Sequence, residues 1–418
     1  KRCFSMSAET KTIRRTEFTK AMKKTHTIWL PDMLHYHNEL LQAAFFSCGY
    51  RLEIMPEAAG LAKYALPFIS NDYCYPSILI IGQVLALAAS EDFDIAHAAF
   101  MEPQTGGACR AGNIYHSMIR CLERTGYSEV PVISLNPFGE EKHKGFTITP
   151  KLLMCAASAV CYGDLLMMLT QQVRPYEKQA GQAETCRQKW IALLSAEIRR
   201  GRNISRAKRR EKYREIVYDF QKIPQEKRKL KKVGVAGEIY MKFSPIGNEH
   251  LEDFLKQAGC DYRLGGFLNY VIYLVDSELG KECAQGDRKI YKKVYREMIR
   301  YLQKIQEDLY RAVDASAVFK RDALFADMKE SACRLINSGC NVGDGWLIAG
   351  EVIDLISQGC GHILVLHPFG CLVSHVCIRG IMKKLHAQFP DIDIQAVEYD
   401  YDSSKTLRES RILLGLGK

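Results

Sequence analysis

The sequence predicts an α/β protein with two Rossmann-like parallel-sheet lobes and helical insertions. Short apolar runs typical of buried strands alternate with amphipathic helical segments in the first third of the chain and again after residue 226. The segment between these two parts has helical spacing without strand-like runs. The chain has 418 residues, of which 47% are hydrophobic and 25% are charged, so it can form two or three domains with ordinary cores.

The first lobe is predicted over residues 25–147, after a polar leader over residues 1–24. Its predicted strands are HTIWLPDM, YRLEIM, FDIAHAAFM and VPVISLN. Helical segments separate them, namely LHYHNELLQAAFFSCG, CYPSILIIGQVLALAAS and AGNIYHSMIRCLERTG. Strands that alternate with helices in this way are typical of a parallel sheet, because parallel neighbours need a crossover connection.

The second lobe is predicted over residues 227–274 and 339–418. A helical segment over residues 148–226 precedes it, and a helical insertion over residues 275–338 interrupts it. Its strand-like runs are KVGVAGEIYMKF, DYRLGG, HILVLHPFG and DIQAVEYD, and its helical runs are GNEHLEDFLKQAG, GWLIAGEVIDLISQG and HVCIRGIMKKLHAQF. The two lobes therefore repeat an architecture, although their residues show no internal repeat.

Charge and hydropathy favour a cytoplasmic protein. No uninterrupted apolar run approaches the roughly 18 residues of a membrane span, and the first residues lack the apolar core of a secretory signal. Much of the net charge of +10 lies in residues 198–233. Acidic residues and an apolar helical stripe interrupt this segment, which favours a solvated helix and linker over a nucleic-acid or membrane surface.

The chain has 15 cysteines, an odd number, scattered through apolar stretches such as LLMCAASAVCYGDLL. This pattern favours reduced thiols, most of them packing residues. Cys74, Cys109 and Cys371 differ because each lies in a strand-to-helix connection with Gly or Pro close by. A helix N-terminus stabilises a thiolate, and glycine lets the backbone approach a bulky ligand.

The residues alone leave three interpretations of these cysteines open. They form a metal or iron–sulfur site, they are separate packing residues, or Cys371 pairs with His375 as a nucleophile and base. No CxxC or Cys/His zinc motif decides among these interpretations.

Seven blocks in order carry a resemblance to a known family: NDYCYPSILIIGQ, QTGGACRAGN, VPVISLN, YGDLLM…VRPYE, GEIYMKFSPIGN, PFGCLVSH and EYDYDSSKTLRESRI. Together they resemble the C-terminal region of the large acyl-CoA dehydratase activase family. That region is similar to the iron–sulfur subunits of 2-hydroxyacyl-CoA dehydratases and to double-cubane cluster proteins. The resemblance extends from about Thr27 to Leu414.

The resemblance implies a cluster between the lobes, held by Cys74, Cys109 and Cys371, either [4Fe–4S] or a double-cubane [8Fe–9S] cluster. It also implies a homodimer and a partner, an ATP-hydrolysing iron–sulfur activator, that supplies low-potential electrons for a small-molecule substrate. No GxxxxGK[ST] motif is present, so the chain is not expected to hydrolyse ATP by itself. The alternatives are a non-catalytic electron-relay or scaffold subunit and a metal-free Rossmann-like binding protein.

The chain departs from the family pattern near the expected site. Val373 and Ser374 stand where the family usually has a proline and an amide, and YDYDSSKTLRES replaces a YDPG motif with later asparagines. These changes bear on the substrate or on activity, and neither touches a ligand cysteine.

Other polar residues are candidates for the site. Gln104 and Thr105 are expected to contact substrate or to form a turn, and Arg110 to offset negative charge or to form a salt bridge. His375 is a candidate proton donor or a packed histidine. Glu238 and Lys242 are predicted to face the other lobe or the substrate, or to join a structural ion pair. Asp400 and Asp402 are expected to complete the crevice or to cap the last helix, and capping is favoured.

Overall fold

A computed structural model of the chain describes residues 15–103, 109–135, 142–202, 204–286 and 288–417. Within these residues the structure has two four-stranded sheets, in which every paired strand is parallel to its neighbour. Helices flank both sheets. The predicted α/β fold with two Rossmann-like lobes is therefore confirmed.

Both sheets have the same strand order. The strands of the first are β1 (Thr27–Leu30), β2 (Arg51–Ile54), β3 (Ala98–Pro103) and β4 (Val132–Leu135). Those of the second are β5 (Lys231–Gly237), β6 (Cys260–Leu264), β7 (His362–Pro368) and β8 (Asp393–Tyr399). The orders are β2-β1-β3-β4 and β6-β5-β7-β8. In such an order the winding reverses between the first and third strands, which opens a crevice at the carboxyl ends of the strands.

The helices follow the predicted alternation. Those of the first lobe are α1 (Met22–Thr25), α2 (Asn38–Ser47), α3 (Leu61–Ala65), α4 (Tyr75–Ala88) and α5 (Ile114–Arg124). The connecting helices are α6 (Pro150–Val173), α7 (Gln182–Arg199) and α8 (Arg206–Gln221). The second lobe and its insertion contain α9 (Ile239–Phe243), α10 (Leu251–Gln257), α11 (Phe267–Gln285), α12 (Lys289–Asp314), α13 (Phe325–Cys333), α14 (Leu347–Ser357), α15 (Met382–Gln388) and α16 (Lys405–Gly415).

The two lobes pack directly against each other. Ile78 and Phe100 of the first lobe belong to the same apolar cluster as Leu364 and Val397 of the second. The inner strands β3 and β7 are buried over almost their whole length, which explains why their sequences are continuous apolar runs. This shared apolar core fixes the two lobes, and with them the carboxyl edges of both sheets, relative to each other.

Helix α6 joins the two lobes. Among the described residues it is the helix that is long and apolar enough to cross a membrane. However, 78% of its most apolar 18-residue stretch is buried within the fold. Its Asp164 contacts His37 at 2.8 Å and accepts hydrogen bonds from the backbone N–H groups of Phe267 and Leu268 at the start of α11. These contacts are those of a helix packed in the core of the fold.

Four local features differ from the sequence-based expectations. In the strand-like run KVGVAGEIYMKF, β5 ends at Gly237 and Ile239–Phe243 form α9. Phe18, within the expected polar leader, is fully buried, and its N–H donates to His143 Nδ1. Helix α11 begins eight residues before the insertion predicted from residue 275. The segment after Cys371 forms a π-helical turn (Ser374–Ile378) and a 3₁₀ turn (Arg379–Ile381) before α15, where one helix was expected. Glycine at position 380 disfavours a continuous helix there.

Candidate functional site at the interface of the lobes

Cys74, Cys109 and Cys371 all lie where the chain enters a helical segment at the carboxyl edge of a sheet. Cys74 is the residue before α4, and Cys109 follows β3 and precedes a short 3₁₀ turn. Cys371 follows β7. Because β3 and β7 are the third strands of sheets with the same order, Cys109 and Cys371 occupy equivalent places in the two lobes.

The structure brings Cys74 of the first lobe next to Cys371 of the second. The backbone N–H of Tyr75 donates to the carbonyl oxygen of Phe369 at 3.1 Å. Gly370 has a φ of +73°, and a Cβ atom at this position would lie 3.1 Å from the Cα of Cys74. Glycine therefore permits both the left-handed backbone and the close approach. Cys371 directly follows Gly370, so its Cα lies about 3.8 Å from that of Gly370 and close to this contact.

Each of these two thiols has a serine partner three residues later. A hydrogen bond of 2.9 Å joins Cys74 Sγ and Ser77 Oγ. Cys371 Sγ accepts hydrogen bonds from Ser374 N at 3.4 Å and Ser374 Oγ at 3.1 Å. Both sulfurs are therefore held by the first turn of the helical segment that follows, which orients them before any ligand binds.

The thiols also share an electrostatic environment. Burial raises the pKa of Cys74 to about 11, and the charges of Glu238 and Cys109 add to the increase. Burial raises the pKa of Cys371 further, again with a contribution from Glu238. Cys109 thus lies close enough to Cys74, and Glu238 close enough to both Cys74 and Cys371, for their charges to interact. Without a cation, this surrounding favours neutral thiols.

Glu238 directly follows β5 and is the N-cap of α9. Its backbone N–H donates to Leu366 O, and its carboxylate accepts a hydrogen bond from Met241 N, which caps α9. Burial raises the pKa of Glu238 to about 7. Burial also raises the pKa of Asp344, and the charge of Glu238 contributes to that increase.

Lys242 is a buried cation whose charge acts on both of these carboxylates. Its Nζ lies 2.6 Å from Glu351 Oε1, and both side chains are almost completely buried. Burial raises the pKa of Glu351, whereas the charge of Lys242 lowers it. Of the roles considered for Lys242, the structure therefore shows a structural ion pair, and its partner is Glu351 rather than Glu238.

The remaining predicted site residues have different positions. Gln104 and Thr105 lie outside the described residues. Arg110 is largely exposed, and its guanidinium donates to the backbone carbonyl of Asp72, so it joins the start of the Cys109 segment to the loop before Cys74. His375 Nδ1 lies 2.7 Å from the carbonyl oxygen of Cys371. The roles of these four residues in binding or proton transfer stay predictions.

Asp400 and Asp402 do not cap the last helix. Ser404 is the N-cap of α16, and its Oγ accepts a hydrogen bond from Leu407 N. Asp400 instead accepts a hydrogen bond from the N–H of Tyr401 within the preceding turn. The serine is the closer residue to the helix, and its short side chain reaches the N–H groups of the first turn.

The sequence reasoning missed two polar residues beside Cys371. His367 is the penultimate residue of β7, and it is paired in register with Glu398 of β8. Their side chains meet that of His375. The signal was a histidine and a glutamate at the ends of two consecutive strands, since the ends of parallel strands meet at one edge of a sheet.

A cavity of about 500 Å³ lies elsewhere between the lobes. Its lining includes Tyr36, Arg174, Lys242 and Glu252, and none of the three cysteines is among the described residues that line it. Arg174 and Glu252 form an ion pair across it. This cavity and the cysteine site are therefore two separate features of the interface.

Comparison with known proteins identifies no family. No protein-family model matches the chain, and no curated protein matches it. The resemblance to dehydratase and double-cubane proteins therefore stays a prediction, and the function is argued from the site.

Proposed function

We propose that this chain is a cytoplasmic iron–sulfur protein whose cluster is held by Cys74, Cys109 and Cys371. It would accept low-potential electrons from an ATP-hydrolysing iron–sulfur activator and pass them to a small-molecule substrate. The observation that carries this proposal is the backbone contact between the Cys74 segment of the first lobe and the Phe369–Gly370 turn, which directly precedes Cys371 in the second lobe.

The donor set fits a cationic cluster. The Cys74 and Cys371 thiols are buried and held by serine hydrogen bonds. The neighbouring carboxylates of Glu238 and Asp344 add negative charge that disfavours thiolates unless a metal is present. Iron–sulfur clusters take thiolate ligands, and their bound iron compensates thiolate charge. When bound, the cluster would supply one-electron chemistry at low potential.

The residues around the cysteines would control access and position. Burial of Cys74 and Cys371 excludes water from two of the ligands. The serine hydrogen bonds to sulfur would persist as bonds to thiolate, and such bonds are one of the ways in which a protein adjusts a cluster potential. The lobe interface would close over the cluster, because two of its ligands come from one lobe and one from the other.

A second candidate is a non-catalytic electron-relay or scaffold subunit. The position of the described cavity favours it, since none of the three cysteines is among the residues that line this cavity. A relay needs a cluster near the surface of the protein and no substrate pocket beside it. The two candidates share the ligand set and differ in whether the reduced protein acts on a small molecule.

The first experiment measures iron and acid-labile sulfide on anaerobically purified protein and on Cys371→Ser. We expect about four iron atoms per chain for a single cubane, or about eight for a double cubane, and a loss of most of this iron in the variant. Cys360→Ser is the matched control because Cys360 is also buried and lies just before the opposite end of the same strand, β7. It should keep its iron.

Absence of iron after anaerobic reconstitution would contradict the proposal and favour a metal-free Rossmann-like binding protein. Equal loss of iron in Cys371→Ser and Cys360→Ser would also contradict it, because the loss would then reflect damage to β7. If iron is bound, mixing the reduced protein with candidate substrates separates a reductase or dehydratase from a relay.

A further inference from the structure

Three potential ligand side chains meet at the carboxyl end of β7 and β8. His367 Nδ1 lies 3.6 Å from Glu398 Oε2, and His375 Nε2 lies 3.7 Å from the same oxygen. The three ligand atoms all lie within 4.8 Å of one another. Two atoms bound to one tetrahedral metal at about 2.0–2.1 Å are separated by about 3.4 Å, so the observed spacing is close to that of a metal site.

The hydrogen bond of His375 determines which of its ring nitrogens can bind a metal. Nδ1 lies 2.7 Å from the carbonyl oxygen of Cys371, and a carbonyl oxygen only accepts, so Nδ1 carries the proton. In the neutral ring, Nε2 then presents its lone pair toward Glu398. A histidine that donates one N–H to a carbonyl while its other nitrogen binds a metal is a common arrangement in metalloproteins.

His367 supplies an independent observation. Its side chain is completely buried, and neither ring nitrogen makes a hydrogen bond within the described part of the chain. The ring packs edge-on against that of His375, with centroids 5.3 Å apart. Leaving a buried polar nitrogen without a hydrogen bond is costly. A metal bound at Nδ1 would remove this cost for one of the two nitrogens.

Arg379 is a cation close to this group. Its Nη1 lies 4.0 Å from Glu398 Oε2, beyond hydrogen-bonding distance, and about half of its side chain is exposed. Such a pair is weak, and the side chain can turn toward solvent. Arg379 therefore does not prevent a metal from binding to the Glu398 oxygen.

We propose that His367, His375 and Glu398 form a binding site for a divalent transition-metal ion such as Zn²⁺ or Fe²⁺, separate from the three cysteines. Two imidazoles and one carboxylate are the ligands that these ions commonly take. Three protein ligands leave at least one coordination position for water or another small ligand. The site assigns His375 to metal binding in place of proton donation, and it does not depend on the proposed cluster.

The test uses Co²⁺, whose absorption spectrum reports its ligands. The full chain carrying Cys74→Ser, which removes a thiol of the other lobe and leaves the β7–β8 edge intact, is titrated anaerobically with Co²⁺. We expect one equivalent to bind with d–d absorption in the visible region and without thiolate charge-transfer bands. His375→Gln and Glu398→Gln, added separately, should each weaken binding by roughly tenfold or more, since each removes a direct ligand.

His362→Gln is the matched control. His362 lies at the opposite end of β7, where its Nδ1 is 3.3 Å from Asp393 of β8, so it is a histidine–carboxylate pair on the same two strands without a second histidine. It should bind Co²⁺ as the parent does. Circular dichroism of each variant shows whether it is folded. Failure of the parent to bind, thiolate bands in its spectrum, or unchanged binding in both His375→Gln and Glu398→Gln would overturn the proposal.

Discussion

The two lobes have the same strand order, but they differ in the buried charged side chains near the carboxyl ends of their strands. In the second lobe, the buried carboxylates of Glu238 and Asp344 lie near the ion pair of Lys242 and Glu351. In the first sheet, Glu102 of β3 is buried, and its Oε2 makes no hydrogen bond to the described residues. Burial raises the pKa of Glu102 well above its usual value, which favours a neutral carboxylic acid.

This difference indicates a division of roles. The first lobe contributes two cysteines of the candidate site, each directly before a helical segment. The second lobe contributes one cysteine and the buried ion pair of Lys242 and Glu351. Buried charges need specific partners, so the second edge is expected to tolerate fewer substitutions. The stability of the site is therefore expected to depend mainly on the second lobe.

The largest expected effect comes from breaking the buried ion pair. Lys242→Met leaves Glu351 buried without its cation and should lower the free energy of unfolding by about 3–5 kcal/mol. Denaturant unfolding measures this change. The control in the first lobe is Lys144→Met, whose partner Glu17 lies 3.5 Å away in an exposed pair. Equal losses in the two variants would contradict the proposed difference between the lobes.

A smaller effect is expected from Gly370→Ala. The left-handed backbone costs alanine about 1–2 kcal/mol, and the new Cβ would meet the Cα of Cys74 at 3.1 Å, which adds to this cost. Gly126→Ala is the matched control, because Gly126 has a φ of +89° and a Cβ atom added there would have nothing within 4 Å of it. The control should lose only the backbone part of the unfolding free energy.

The iron content of the same two variants tests whether the contact between the lobes positions the cluster ligands. If the contact between Gly370 and Cys74 positions the ligands, Gly370→Ala should bind less iron than Gly126→Ala after identical anaerobic reconstitution. Similar iron content and similar stability in the two variants would show that the contact between the lobes does not position the ligands.

The smallest effect is a pH dependence that arises in the second lobe. Burial raises the pKa of Asp354 to about 7 and that of Asp322 to about 6. The charge of Asp322 contributes to the increase at Asp354, and the charge of Asp164 contributes to the increase at Asp322. Gln358 Nε2 donates to both carboxylates. The folded state therefore holds protons that the unfolded state releases near pH 4. The stability from these protons is complete below about pH 4 and is lost as the pH rises through 6 to 7.

Asp354→Asn should flatten this part of the profile of unfolding free energy between about pH 4 and pH 7. Asp391→Asn, at an exposed aspartate, is the control and should keep the parental slope. A slope that is the same in Asp354→Asn and the parent would show that these buried carboxylates do not hold protons in the folded state.

Much of the fold could be predicted from local patterns. The mainly apolar runs of β3 and β7 mark strands directly, because burial on both faces disfavours polar residues. The glycine after α2 marks the end of that helix. The irregular turn after Cys371 could not be predicted, since π-helical and α-helical turns have similar side-chain patterns.

The candidate site was predictable in part. Cys74, Cys109 and Cys371 were selected because each lies before a helical segment, and the structure places all three at carboxyl edges of the sheets. The partner of Lys242 could not be predicted, because Glu351 is 109 residues later in the chain. The grouping of His367 with Glu398 required the register of β7 and β8.

The amino-acid sequence by itself determined the two α/β units, their order along the chain and the position of each cysteine beside a turn, since these depend on local periodicity and on glycine and proline. Only the tertiary structure decided that the Gly370 turn lies against Cys74, that Lys242 pairs with Glu351, and that two histidines and a glutamate share one edge. The packing of the two lobes brings Gly370 against Cys74, and the packing of strands and helices within the second lobe forms the other two groups, so none of them follows from a local pattern.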